Sequence, residues 1–319
     1  MALKLYLLIF IFQFSLSMNA QRGFVIDHRN TDLSKIPVKY IEEGKKKLKI
    51  QYFRRSHGSH LDVGGMAALR RYSDEYSKLY AYNPKGTNGE LLFSASWQSL
   101  DFENDKWVKI TRDFLDNPAN SQINVVMWAW SSYLYKADAD QYIKDMEALI
   151  ADYGPGGTFV KNRKRKTPVV FIFQTGCSQS SAERNKELYT KNQKIREHCK
   201  KNNRILFDFN DIECYDPDGN YFGDGSPDGK YLGKNLLGDD LNYKTPGGRA
   251  NWGIQWIQKN KDSELAKLSD DNICIKCEHS MGVHEGETKA NSRLHCVLKG
   301  RAAWWMWAKL AGWNDASIK

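Results

Sequence analysis

The sequence predicts an α/β fold, a three-layer sandwich with a mostly parallel central sheet. Three observations predict it. Four short apolar runs, at residues 48–53, 123–129, 168–174 and 204–209, are continuous rather than alternating, as strands covered on both faces require. Segments with apolar residues at helical spacing lie between them. The first run stops at a polar, glycine-bearing cluster, in the position where open α/β sheets gather ligand-binding and catalytic groups.

In chain order, the start reads as an address. Lys4 precedes Leu5-Tyr6-Leu7-Leu8-Ile9-Phe10-Ile11-Phe12, with small residues at Ser15, Ser17 and Ala20. A charged start, an apolar stretch short for a membrane helix and a cleavable end make residues 1–20 a signal peptide. The expected product is one α/β domain over 21–319, secreted or periplasmic, with no membrane span. After the strand at 48–53, Met66, Leu69, Tyr72, Tyr76 and Leu79 mark a helix over 66–80. Trp107, Ile110, Phe114 and Leu115 mark one over 105–115. Tyr142, Ile143, Met146, Leu149 and Ile150 mark one over 138–153, and Leu188, Tyr189 and Ile195 give 181–202 its inner face. Strand–helix alternation of this kind implies right-handed crossovers. Residues 208–248, rich in Asp, Gly, Asn and Tyr, read as a long loop laid over the sheet. Helices follow at 250–260 and 299–310. The second has Gly312 as its stop, and its Trp304, Trp305 and Trp307 fit a terminal helix packed on the sheet.

Composition bounds the function. The chain has 319 residues, 41% of them hydrophobic and 13% aromatic, enough to bury a substantial core. Its formal charge of +9 is scattered, and the densest runs, Lys45-Lys46-Lys47 and Lys161 to Lys166, flank strands. They read as solvated loops and helix ends, so no nucleic-acid partner is expected. Six cysteines in an exported chain favour disulfides. Cys277 with Cys296 is the preferred bridge, because it closes the segment holding His279, His284 and His295.

The chemistry points to Arg54-Arg55-Ser56-His57-Gly58-Ser59-His60. A serine becomes a nucleophile when a base takes its proton and fixed donors receive the oxyanion. Ser56 and Ser59 are the candidates, and a helix cap at Ser59 or Asp62 is the structural alternative. His279 and His295 are the candidate bases. Arg54, Arg55, His57 and Gly58 are candidates for oxyanion or substrate contacts, and Trp128 and Trp130 for a sugar-binding cleft. Asp208 and Asp211, past the fourth run, could serve a carboxylate glycosidase. No cofactor and no metal is assigned. Cys274, Cys277, His279 and His295 have the residue types of a zinc site, but disulfides account better for the cysteines. Asp216, Asp218, Asp224 and Asp228 could ring a calcium ion; a solvated turn explains them better.

Ile50 through Ser56 resembles the first block of the SGNH/GDSL hydrolases, a strand running into a nucleophilic serine. His295-Cys296-Val297-Leu298-Lys299-Gly300 resembles their last block, and the chain is similar through most of its length to divergent secreted bacterial SGNH-like proteins. The resemblance implies a flavodoxin-like sheet and a serine esterase that removes acyl groups from a glycan. The sequence departs from that pattern in three places. Arg54-Arg55 replaces Gly-Asp before the serine. No acid stands three residues before His279 or His295, where Lys276 and Ser292 are found. No Gly-x-Asn-Asp block follows Trp128. A carboxylate glycosidase and a non-catalytic glycan-binding protein are the alternatives.

Overall fold

Seven strands form one sheet, every neighbouring pair parallel, in the spatial order Val25–Ile26, Leu206–Phe207, Val170–Gln174, Val125–Ala129, Lys49–Arg54, Leu91–Trp97 and Tyr82–Asn83. The computed structural model describes residues 23–98, 106–179, 181–226, 228–270, 273–274, 281–282, 290–291 and 293–314. The expected signal segment lies outside them. Among them no helix is long and apolar enough to cross a membrane.

The chain opens with β1 (Val25–Ile26), α1 (Val38–Lys47) and β2 (Lys49–Arg54). A 3-10 turn (Ser56–His60) and a π-turn (Leu61–Met66) lead into α2 (Ala67–Tyr72) and α3 (Asp74–Leu79). The helix expected over 66–80 is thus broken at Ser73, whose side chain caps α3 through the Tyr76 N–H. Next come β3 (Tyr82–Asn83), β4 (Leu91–Trp97), α4 (Lys106–Asp116) and β5 (Val125–Ala129). They are followed by α5 (Ala139–Tyr153), α6 (Thr158–Lys161), β6 (Val170–Gln174) and α7 (Ala182–Lys201). Then β7 (Leu206–Phe207) runs into α8 (Phe209–Cys214), and the long loop ends in a hairpin of β8 (Asn242–Thr245) and β9 (Gly248–Asn251). Last come α9 (Trp252–Lys259), α10 (Glu264–Leu268), a short antiparallel pair β10 (Met281–Gly282) and β11 (Ala290–Asn291), and α11 (Leu294–Leu310).

Successive side chains of a strand point to opposite faces, so the sheet carries two cores. Ile50, Tyr52, Val125, Met127 and Ile172 pack with α1, α2 and α11. Phe53, Val126, Trp128, Phe171 and Phe173 pack with α4, α5 and α7. Helix α11 is buried from Leu294 to Ala308 on every side, which explains why its apolar residues follow no single stripe. Its three tryptophans belong to this core, and the Trp305 indole N–H donates to the Asp32 carbonyl at 2.9 Å.

Two glycines set the depth of α11. A Cβ on Gly65 would lie 2.0 Å from the Cys296 carbonyl oxygen, and one on Gly300 would lie 2.2 Å from the Gly65 carbonyl carbon. Bare backbone on both sides lets α11 rest directly on the π-turn after β2. The sheet's direction of winding reverses at β2, with β4 on one side and β5 on the other. The crevice past the carboxyl ends of β2 and β5 is therefore the expected ligand site of the fold.

Candidate active site

The turn after β2 is tight because Gly58 sits where a Cβ would lie 2.5 Å from the Arg54 Cβ and 2.9 Å from the Ala129 Cβ. Its N–H donates to the Arg55 carbonyl at 2.9 Å, and its carbonyl accepts from the Tyr52 hydroxyl at 3.1 Å. This fixed turn presents Ser56 part-exposed and buries His57, Ser59 and His60 at 3%, 4% and 0% exposure.

The three side chains Ser56, His57 and Asp239 form a line. Ser56 Oγ lies 3.3 Å from His57 Nδ1, and His57 Nε2 lies 2.5 Å from Asp239 Oδ2. Asp239 comes from the long loop and is about a quarter exposed. A carboxylate that accepts from Nε2–H holds the tautomer whose Nδ1 lone pair faces the serine, the arrangement a general base requires.

A second, wholly buried cluster lies against the first. The His57 and His60 rings are 5.4 Å apart, and His60 and His295 are 4.3 Å apart. Lys299 Nζ meets three acceptors: Glu213 Oε1 at 2.7 Å, His60 Nδ1 at 3.1 Å and His295 Nδ1 at 3.2 Å. An ammonium has three protons to donate, so this one is fully used. It also sits 3.9 Å from the centre of the Phe209 ring. The other Glu213 oxygen accepts the Ser178 N–H at 2.8 Å. Burial pushes Glu213 up and Lys299 down from their ordinary values, and their mutual contact opposes both shifts. Burial, reinforced by Lys299 and His57, holds His295 well below the ordinary imidazole range. His295 is therefore neutral, accepts through Nδ1, and keeps an Nε2 with no hydrogen-bond partner among the described residues. Burial, helped by Glu213 and Asp239, raises the Cys177 thiol well above its usual value, so it stays protonated and is no nucleophile at neutral pH.

Several expectations are corrected. Arg54 is an ion-pair partner inside the fold, its Nε held by the buried Asp62 at 2.8 Å. The Gly58 N–H is spent on its own turn. Arg55 stacks on Tyr133, 4.2 Å from the ring centre. Trp128 and Trp130 line no cleft: they are 2% and 0% exposed and stack 5.5 Å apart within the core. Asp208 is held by Arg196 at 2.6 and 2.8 Å and by the Thr175 hydroxyl at 2.9 Å, which removes it from glycosidase chemistry. Asp211 faces away from this cluster and holds His28. His295 contacts Lys299 rather than either serine. Ser59 is buried, whereas Ser56 is reachable. His279, and with it Cys277 of the expected bridge, lies outside the described residues. Cys177, Cys199 and Cys214 are free thiols, and they are buried, as is Cys274.

Of the metal alternatives, the zinc set includes Cys277 and His279, outside the described residues, while the acidic turn is held by hydrogen bonds. His60, His295 and Cys296 offer ligand atoms within 4.8 Å of one another, but the cation both imidazoles face is the Lys299 ammonium. Asp216 accepts the backbone N–H groups of Asp218 and Asn220 at 3.0 and 2.8 Å, and Asp224 accepts those of Asn235, Leu236 and Leu237 at 2.9, 2.9 and 3.2 Å. These carboxylates fold the loop that delivers Asp239.

Sequence reasoning missed Asp239 and Lys299. For Asp239 the signal was the acid-rich loop itself, and for Lys299 a single cation inside an apolar helix. The family models, the curated proteins and the solved structures contain no match to this chain.

Proposed function

We propose that this protein is a serine hydrolase, an exported esterase acting on acyl groups carried by a glycan. The observation that carries the reading is the line from Ser56 Oγ through the His57 ring to Asp239. Ser56 attacks the ester carbonyl while His57 Nδ1 takes its proton. The same proton then goes to the sugar oxygen as its bond to the acyl carbon breaks, leaving an acyl-serine. Water, deprotonated by His57, attacks the acyl-serine; the bond to Ser56 Oγ breaks, Oγ takes the proton back from His57, and the carboxylic acid leaves. Asp239 keeps the imidazole in the tautomer this requires and balances its charge when protonated.

The SGNH/GDSL resemblance supports the choice of Ser56, with the base supplied by the adjacent His57 instead of a histidine before the last helix. The carboxylate glycosidase is the weaker alternative because Arg196 engages both oxygens of Asp208. Hydrolysis of p-nitrophenyl acetate and release of acetate from acetylated oligosaccharides test the proposal. Ser56→Ala and His57→Gln should each abolish turnover while the variants stay folded. Retention of full activity by Ser56→Ala would remove the serine mechanism.

A further inference from the structure

Helix α8 has a second side. Glu213 points into the buried cluster, while Asn210 and Asp211 line a separate cavity of about 390 Å³ under the acid-rich loop. That size is within the range of small-ligand sites, about 300–1,000 Å³. Tyr189 of α7 and Tyr215 and Tyr221 of the loop line it. Tyr215 and Tyr221 meet at 51° with ring centres 4.9 Å apart, and Tyr221 is 41% exposed. The other face of Tyr215 is backed by the His28 ring, stacked at 3.6 Å.

The guanidinium that lines the cavity is already paired. The Arg196 guanidinium is neutralised by Asp208 and also donates to Gln193 and Asn210. Asp211 Oδ1 accepts both the backbone N–H and the ring nitrogen of His28, whereas its Oδ2 takes no hydrogen bond from the described residues. The Tyr189 hydroxyl accepts from Gln193 at 3.0 Å and keeps its own proton to give. The cavity thus offers the Asp211 carboxylate as an acceptor, a hydroxyl donor and two aromatic rings. A pyranose ring has the complementary chemistry: hydroxyls around its rim and C–H groups on its faces, which pack on aromatic rings.

We propose that this cavity is a subsite for a neutral pyranose unit of the glycan, with Tyr215 and Tyr221 as stacking surfaces and Asp211 accepting from a sugar hydroxyl. The inference rests on the proposed function, which it deepens by giving the glycan a place to bind. None of the residues of the Ser56–His57–Asp239 line is among those lining the cavity, so an oligosaccharide, not a single sugar, has to reach both.

Saturation-transfer NMR on the full chain tests it, with methyl β-D-xylopyranoside, methyl β-D-glucopyranoside and N-acetylglucosamine as probes. None carries an ester bond for Ser56 to cleave, so binding is read without turnover. At least one probe should receive transfer, Tyr221→Ala and Asp211→Asn should each weaken it tenfold or more, and Ser56→Ala should leave it unchanged. Absence of transfer to every probe, or transfer that survives both substitutions, overturns the subsite. Sugar binding without serine activation would sink the esterase reading and leave the subsite standing. An activated Ser56 without sugar binding would do the reverse.

Discussion

Replacing Lys299 by methionine isolates the buried cluster that supports the site. Lys299 and Glu213 are both fully buried, and the contact between them is 2.7 Å. Methionine keeps most of the stem and removes the ammonium. Glu213 then retains only the Ser178 N–H as a hydrogen-bond donor, and the Nδ1 atoms of His60 and His295 lose theirs. Removing one partner of a buried pair costs about 3–5 kcal/mol, a large part of the ~5–15 kcal/mol that holds a domain folded. Glu213→Gln leaves the cation stranded and should cost a similar amount. The double variant strands neither charge, so its cost should fall short of the sum by more than about 1 kcal/mol. Urea unfolding followed by tryptophan fluorescence measures all three. Burial already raises Glu213, and loss of the ammonium raises it further, so the Lys299→Met penalty should shrink as pH is lowered from 8 to 5. A penalty under 1 kcal/mol, or strict additivity in the cycle, would refute the reasoning.

Three other outcomes follow from the same geometry. Asp239→Asn should slow ester turnover by about a thousandfold or more, because an amide on Nε2 no longer fixes the imidazole tautomer; pyranoside binding should not change. Gly300→Ala should lower the thermal midpoint and reduce turnover together, since a Cβ there would lie 2.2 Å from the Gly65 backbone and push α11 and Lys299 away from His60. His295 has its proton affinity lowered by burial, so below pH about 6.5 the unfolded chain binds a proton that the folded one refuses. Stability should therefore fall with pH there by up to about 1.4 kcal/mol per unit. His295→Gln should have a shallower slope, and equal slopes would contradict the assignment.

The parts of the fold legible in the sequence were those built from local patterns. The strands β2, β5 and β6 are buried on both faces and read directly as apolar runs, and α5 and α7 matched their periodicity to within a residue or two. Strand β4 was missed because its second half, Ser94 to Trp97, is partly exposed and no longer looks like a core strand. Strands β1 and β3 are two residues long and form only by pairing with distant partners. Helix α1 ends in three lysines, a charge run that hides its apolar positions. At the site, Ser56 and His57 were visible as neighbours, but the choice of His57 over a distant histidine depends on where the ring points. Asp239 is 182 residues away in sequence from His57, and only the folded loop joins them. The misassignment of Trp128 and Trp130 has a similar cause: an aromatic near a strand end is compatible with cleft or core until its neighbours are known.

The most direct measurement on the central claim is fluorophosphonate labelling of the folded protein, with the adduct located by mass spectrometry. The account predicts a single adduct on Ser56, formed at a rate that falls sharply in His57→Gln and Asp239→Asn. A folded protein that takes no label, or takes it on Ser59 with Ser56 unmodified, would contradict it.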